Sequence, residues 1–426
     1  MQNLNEKLIK EFSRKRGEPE WMLAIRLKGL EVFEKTVLPQ WGPDLTKIDL
    51  SQINYFQQEK IQPDKKVWDK LGLPEQERRY LSGLASQWDA KVVYQKLKQN
   101  LTKQGVIFLS MDEAVKQYPQ LVKKYFLKIM PLNNKLSALH AAVWSGGVFL
   151  FVPRGVKISQ PLEGYFYLNN YHGGQFEHTI IVAEEGSELI YIEGCSAPRF
   201  TKAALHVGCV EAVVGKKARV KLVTLQNWSR NVFNLGMKRA VVKQSGFMEW
   251  VGASLGSQVT MSYPTSVLLG KGARAEHLSL SLADKGQEIE SGGSAVLQAA
   301  NTSANIVSKS VCCHGGASSY RGFSNICKGA KEAKLNINCD SLLLDNFSQA
   351  KSYPALAVGE ADSLALHEAK TGKISEEEMI YLMSRGLTQE DAMSLIINGF
   401  IEPVVGQMPV EYAVEINKIM ELYVKH

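Results

Sequence analysis

The chain has 426 residues, 45% hydrophobic and 22% charged, with a net charge of +7 spread along its length; this fits a globular protein of roughly two to three domains and excludes wholesale disorder. Six cysteines are too few for a disulfide scaffold, so cysteine chemistry here means thiols or metal ligands. The basic residues fall in short clusters such as SRKRGE and VGKKARVK, which read as solvated surface and give no nucleic-acid footprint.

The first residues, MQNLNEKLIKEFSRKRGE, mix acids with bases and lack an apolar run, so no secretory signal is expected. The most apolar neighbourhood, ALHAAVWSGGVFLFVP, is interrupted by His140, Ser145, Gly146 and Gly147 and stops at Pro153, so no membrane-spanning helix is expected. The expected compartment is the cytoplasm, or a plastid stroma if the chain is plastid-encoded. Residues 1–130 read as a helical region: EWMLAIRLKGLEVFEK and DAKVVYQKLKQNLTKQG repeat apolar residues at helical spacing, and Gly105 closes the second.

From about Trp144 the texture changes to short alternating runs rich in Val, Ile, Ser and Gly. Gly155, Gly186, Gly215, Gly246, Gly272, Asn301, Gly329 and Gly359 then recur at gaps of 31, 29, 31, 26, 29, 28 and 30 residues, each followed by strand texture. Glycine suits a tight corner with positive φ, and Asn is the next best residue there. The expected fold class is mainly β: a right-handed parallel β-helix of ~29-residue coils over residues 131–372, between helical regions at 1–130 and 373–426. An antiparallel sandwich would give a turn signal about every 8–12 residues without this longer register.

After Lys370 the helical pattern returns. Ser375 caps SEEEMIYLMSRG, which Gly386 ends; Thr388 caps TQEDAMSLIING, with Gly399 as its expected close; Pro409 opens a third helix through Leu422. Met379, Leu382, Met383, Leu395 and Ile396 read as core, with part of that surface left for a partner.

Three cysteine neighbourhoods could carry chemistry. Cys339, in NCDS, lies ten residues after Gly329, while His367 and Glu368 lie eight and nine after Gly359. They therefore fall on consecutive coils about 4.8 Å apart, within reach of a shared iron or zinc ion. Asn338 and Asp340 are expected to keep that thiol near a wet surface; the alternative is a surface His367–Glu368 pair beside an inert Cys339. Cys195, in YIEGCSAPRF, occupies the same column five coils away. Gly194 and Ser196 suggest an accessible thiol, opposed by Glu193 and favoured by Arg199 and Lys202, against the alternative of a small buried cysteine. Cys312 and Cys313, beside His314, lack CxxC spacing and read as structural thiols, and Cys209 and Cys327 as core.

The chain has no GxxxxGK[ST] phosphate loop, no GxGxxG and no nucleophile elbow, so no ATPase site of its own is expected. EPEWMLAIRLKGL, GQFEHTIIVAEEGSELIYIEGCSAP, QNWS, TSANIVSKS, NCDSLLLD, LHEAKTGKI and YLMSRGLTQEDAMSLIINGFIEP occur in that order from about Glu18 to the C-terminal helices. In these motifs the sequence resembles the SufB branch of the SufB/SufD scaffold family of the Suf iron–sulfur assembly system.

The resemblance implies a non-enzymatic scaffold driven by a SufC-type ATPase at the C-terminal helices and paired with a SufD-type paralogue or a second copy. It implies that Cys195 accepts sulfur as a persulfide from a sulfur donor protein, and that Asn169, Gln226, Trp228 and Lys238 line a polar sulfur path. A transient iron–sulfur cluster is implied at Cys339, His367 and Glu368, with participation of reduced flavin left open. Two departures stand out: Tyr167, in YFYLN, replaces an arginine of the family pattern, and Cys312–Cys313 fall where the family is Gly- and Ser-rich. The alternative is a structural SufD-like subunit without a sulfur acceptor; EPEWML and the cysteine of NCDS favour the first reading. A solenoid carbohydrate enzyme would call for an export signal.

Overall fold

A parallel sheet needs each strand to be followed by a return path, and the ~29-residue repeat supplies one. A computed structural model describes residues 4–56, 83–88, 91–168, 173–197 and 203–425. In it Leu162–Tyr167, Glu188–Ser196, Arg219–Trp228, Phe247–Gly256, Arg274–Ala283, Ser303–Cys312, Ala333–Leu343 and Ser363–Lys373 stack as one parallel sheet. Between them the chain returns through other strands, from Val148–Val152 and His178–Ala183 to Ala317–Ile326 and Gln349–Val358, which form a second parallel sheet. The result is a β-solenoid of about seven turns with helical regions at both ends. Inside it Leu189, Val220, Met248, Ala275, Ala304 and Leu335 line up in register as an apolar ladder.

The corner column serves two different physical needs. Gly155, Gly186, Gly272, Asn301 and Gly329 do have positive φ, between 58° and 90°. At the two corners between Gly186 and Gly272 the left-handed residues are Lys217 and Ser245 instead. Gly215 and Gly246 are there for closeness: a Cβ on Gly215 would stand 2.6 Å from the Ala183 carbonyl oxygen, and one on Gly246 would stand 2.9 Å from that of Gly215.

The N-terminal region is less uniformly helical than its sequence reads. Helices Glu6–Arg16, Glu20–Lys35 and Lys135–Val143 pack at the start of the solenoid, where the buried Arg26 donates to Glu18 at 2.7 and 2.6 Å and to the carbonyls of Ala142 and Trp144. The stretch DAKVVYQKLKQNLTKQG is instead a strand, Lys91–Leu97, followed by the short helix Gln99–Lys103. Its consecutive Val92, Val93 and Tyr94 suit an extended chain, and the sheet edge supplies a partner: Gly83–Trp88 runs parallel to Leu162–Tyr167 and antiparallel to Lys91–Leu97. Ile107–Ser110 caps the second sheet by antiparallel pairing with Val148–Val152.

At the other end, helices Glu376–Ser384, Gln389–Val405 and Val410–Lys425 follow the last strand. The last two lie on the outer face of the first sheet, where Ile397, Ile401, Val404, Tyr412 and Ile416 pack with Val223, Leu225, Val251, Leu280 and Leu282. That burial carries the middle helix past Gly399, its expected close, and through Pro403. The first of these helices buries no residue: Ile380 and Tyr381 are exposed, as are Met383 and, on the next helix, Leu395, both expected in the core. No helix among the described residues is long and apolar enough to cross a membrane.

Candidate functional site

Where the last two helices cover its outer face, around Val223, Leu225 and Val251, the first sheet is buried on both sides, and strand alternation decides which residues meet inside the solenoid. Ile192, Val223 and Leu225 point to the helices; Glu193, Cys195, Thr224, Gln226 and Trp228 point inward. The facing strands of the second sheet bring His206, Asn234 and Lys238, and Glu177 comes from just before His178–Ala183. All of these side chains are buried, Cys195 to 2% exposure.

They form two hydrogen-bonded groups that meet at Trp228 and Cys195. Lys238 Nζ donates to Glu193 Oε1 at 2.8 Å, Gln226 Nε2 to Thr224 Oγ1 at 2.9 Å, and Trp228 Nε1 to Gln226 Oε1 at 2.9 Å. His206 bonds Glu177 through Nε2 at 2.5 Å and Asn234 through Nδ1 at 2.8 Å, and its ring packs 4.5 Å from Trp228. Donor atoms of Glu177, Cys195 and His206 all lie within 4.8 Å of one another. Burial pushes the Cys195 thiol well above its ordinary value; Glu193 and Glu177 add to this, and Lys238 and Gln226 oppose it. Burial disfavours a charged His206 ring, but Glu177 and Asn234 outweigh it and raise His206 above the usual histidine value.

Of the residues expected on the sulfur path, Gln226, Trp228 and Lys238 thus come together beside Cys195, although they lie on two sheets. Asn169, Arg199 and Lys202 lie outside the described residues. The thiol's accessibility, expected from Gly194 and Ser196, gives way to burial: Tyr165 and Tyr412 crowd Gly194 from outside, and Tyr165 Oη lies 2.8 Å from Ser196 Oγ.

Two in-register columns run from this cluster along the solenoid interior. One is Cys195, Gln226, Ser254, Ser281, Ser310 and Ser341; the other is Glu193, Thr224, Gly252, Ser279, Ser308 and Cys339. Five strand steps, about 24 Å, separate Glu193 from Cys339. A cavity of about 50 Å³, enough for small molecules of water size, lies beside Gln226 and Lys238 and is lined by Ser254, His277, Ser279 and Ser291.

At the far end Cys339 faces inward, 5% exposed, and burial pushes its thiol up to about 12 against a hydrogen bond from Ser352. His367 is in register with the inward Ile337, so it shares the Cys339 face one strand on, and its shielded Nε2 has no hydrogen-bond partner. Glu368, one residue later, is in register with Asn338 on the opposite face and pairs with Lys370 at 2.9 Å. Asp340 also points outward, 2.5 Å from Lys309. Asn338 and Asp340 therefore flank the thiol in sequence but do not wet it.

The description SUF system FeS cluster assembly, SufBD core domain, belongs to a family model that matches residues 166–400, and the SufBD protein N-terminal region matches residues 86–163. Iron–sulfur cluster assembly SufBD family proteins of Staphylococcus aureus strain MRSA252 and Staphylococcus haemolyticus strain JCSC1435 are each 44% identical to this chain over 429 residues, covering 98% of it and 92% of their own length. The chain belongs to the SufBD family.

Sequence reading of this SufBD chain passed over Glu177, His206 and Asn234. The available signal was a polar residue in an otherwise apolar run, as in EHTIIVA and ALHVGCV. That signal does not discriminate. His178, next to Glu177, bonds His140 and Glu211 instead, and Glu211 accepts the backbone N–H groups of Leu127, Ile129 and Met130, a packing role.

Proposed function

We propose that this SufBD chain is a SufB-type scaffold subunit that accepts persulfide sulfur at Cys195 and holds a nascent iron–sulfur cluster at the Cys339–His367 end. The observation that carries this reading is the pair of adjacent interior columns, one running from the buried Cys195 through Gln226 and serines to Ser341 and the other from Glu193 to the buried Cys339, which ends one strand before an imidazole whose Nε2 has no partner.

In the accepting step the Cys195 sulfur attacks the outer sulfur of a donor persulfide. A new S–S bond forms at Cys195, the donor's S–S bond breaks, and the donor cysteine leaves as a thiolate; no net oxidation occurs. The Cys195 proton passes to Glu177, whose Oε2 is shielded and without a partner, and then to the departing thiolate. Lys238 and Gln226 favour the transient Cys195 thiolate. Gln226 and Trp228 begin the path, and Asn169 belongs to it by its motif alone. Conversion of the carried sulfur to sulfide needs two electrons from an external reductant such as reduced flavin, for which this reading assigns no residue. Cys339 and His367 are the iron ligands of this reading; Glu368 joins them only if the last strand turns its face.

The exposed apolar residues Ile380, Tyr381, Met383 and Leu395 support docking of a SufC-type ATPase at the C-terminal helices. The last strands, Gln349–Val358 and Ser363–Lys373, expose Tyr353, Leu356, Val358, Leu364 and Leu366, which supports pairing there with a SufD-type paralogue or a second copy. A cytoplasmic or plastid-stromal location goes with this reading.

Anaerobic incubation of the full chain with a persulfide-loaded donor protein, read by intact mass, tests it. An extra sulfur on the wild type that disappears in Cys195→Ser is the expected result. The same extra sulfur on the variant would move the acceptor elsewhere, and none on either protein would favour a SufD-type structural subunit.

A further inference from the structure

The double cysteine Cys312–Cys313 is not absorbed by the sulfur path. Alternation separates its two thiols: Cys312 packs with Ala283 and Ile289, whereas Cys313 stands at the corner after Ser303–Cys312. The Cys313 N–H donates to the Ala283 carbonyl at 2.9 Å, and this bond fixes the corner of one coil against the next.

Three donors of different chemistry converge at that corner. Asp284 Oδ1 lies 2.8 Å from His314 Nδ1 and 3.8 Å from Cys313 Sγ, and the three donor atoms lie within 4.8 Å of one another. In a tetrahedral zinc site with bonds of about 2.0–2.3 Å, neighbouring donors stand about 3.3–3.5 Å apart. Both measured edges are therefore within about half an ångström of a coordination polyhedron. The carboxylate and the imidazole are already aimed. Arg230 bonds Oδ2 of Asp284, which leaves Oδ1 turned to the thiol and the imidazole. His314 has φ +54, the left-handed corner conformation that Lys217, Ser245, Asn301 and Glu332 also take, and from this corner its Nδ1 meets Asp284. Asp284 and Cys313 are buried while His314 is 36% exposed, so an ion can enter from solvent and a water can complete the shell.

We propose that Asp284, Cys313 and His314 form a binding site for one divalent transition metal, zinc or ferrous iron, separate from the sulfur path. A thiolate, an imidazole and one carboxylate oxygen are the donor set of such an ion and not of magnesium or calcium. Binding releases the Cys313 proton and replaces the hydrogen bond between His314 and Asp284. Asp345, on the following coil, adds negative charge near the thiol and helps hold the cation.

Cobalt(II) titration of the purified full chain, under anaerobic conditions and with Cys195 and Cys339 both replaced by Ser, tests the site. One equivalent should produce thiolate-to-cobalt charge-transfer absorption and intense tetrahedral d–d bands, and zinc should displace it. Cys313→Ser in that background should abolish the charge-transfer band, and Asp284→Asn should weaken binding about tenfold or more. An unchanged spectrum in Cys313→Ser or in His314→Gln would overturn the proposal, as would the absence of any cobalt–thiolate band in a chain that circular dichroism shows to be folded. Sulfur loading at Cys195 plays no part in this readout.

Discussion

Lys238 Nζ lies 2.8 Å from Glu193 Oε1 inside the solenoid, and Glu193 is two residues before the buried Cys195 on the same strand. The pair is an ion pair sealed in a low-dielectric interior, so each partner compensates the other. Lys238→Met should destabilise the chain by about 3–5 kcal/mol, since it leaves Glu193 buried without its cation. Adding Glu193→Gln should return much of that loss. Denaturant unfolding of the two single variants and the double variant measures the coupling, and additive losses would show that the two charges do not sense each other.

The buried Cys195 thiol should react slowly near neutrality. Its ionisation is displaced upward, so the thiolate fraction, and with it the rate of alkylation by a small reagent, should keep rising with pH beyond the point where an ordinary cysteine levels off. Lys238→Met should depress the rate further at every pH. A profile that levels off at the ordinary cysteine value would mean that the thiol is solvated.

Cys339 gives a linked effect on stability. Its folded-state value of about 12 exceeds the unfolded value of about 8.5. Between these limits the unfolded chain has lost a proton that the native chain retains, so stability falls as pH rises through that window. Cys339→Ala should flatten the fall by up to one proton. Unfolding free energies measured across the alkaline range would show this, and equal slopes would contradict the burial of the thiol.

Cluster retention after anaerobic reconstitution with iron and sulfide should depend on the faces of the last two strands. Cys339→Ala should abolish the visible chromophore, because the thiolate is the strongest iron ligand at that end. His367→Ala should weaken it, and Glu368→Ala should change it least, since Glu368 points outward to Lys370. Visible absorption and Mössbauer spectra decide the order; a Glu368 effect as large as that of Cys339 would require the last strand to turn over.

The C-terminal helices separate docking from packing. Met383→Asp and Leu395→Asp should abolish capture of a SufC-type ATPase without lowering the melting temperature, because both side chains are exposed. Ile401→Ala, on the buried face of the helix that carries Leu395, should cost about 2–5 kcal/mol of stability. Loss of stability in the Asp variants would mean that these residues pack in the native protein.

The solenoid was legible because its corners recur at near-constant spacing and favour Gly or Asn there, for left-handed backbone at five of them and for close approach at Gly215 and Gly246. The face each residue takes was not. The last strand is largely exposed and its leucines, Leu364 and Leu366, are on the solvent side, so its alternation marks no apolar core face, and His367 and Glu368 read as a pair although one residue of register sends them to opposite faces. The Cys195 cluster draws on residues from different coils, and the hydrogen bonds that join them cross sequence separations of 28 to 45 residues that no local pattern records. The strand at Lys91–Leu97 and the helix that continues past Gly399 are cases in which a tertiary partner outweighed local preference.

Thr224 and Gln226 stand inside the solenoid, while Val223 and Leu225, their immediate neighbours, touch the C-terminal helices outside. The wall between the two compartments is therefore a single backbone thick. Asn227, on the same strand, donates to Glu415 of the last helix at 2.6 Å, so that wall is also tied to what lies over it. Protein interiors are close-packed and transmit displacement. A movement of the helix pair must either open a gap over Val223 and Leu225 or carry this strand with it, and in the second case the width of the interior passage changes with no residue of the passage touching whatever moved the helices.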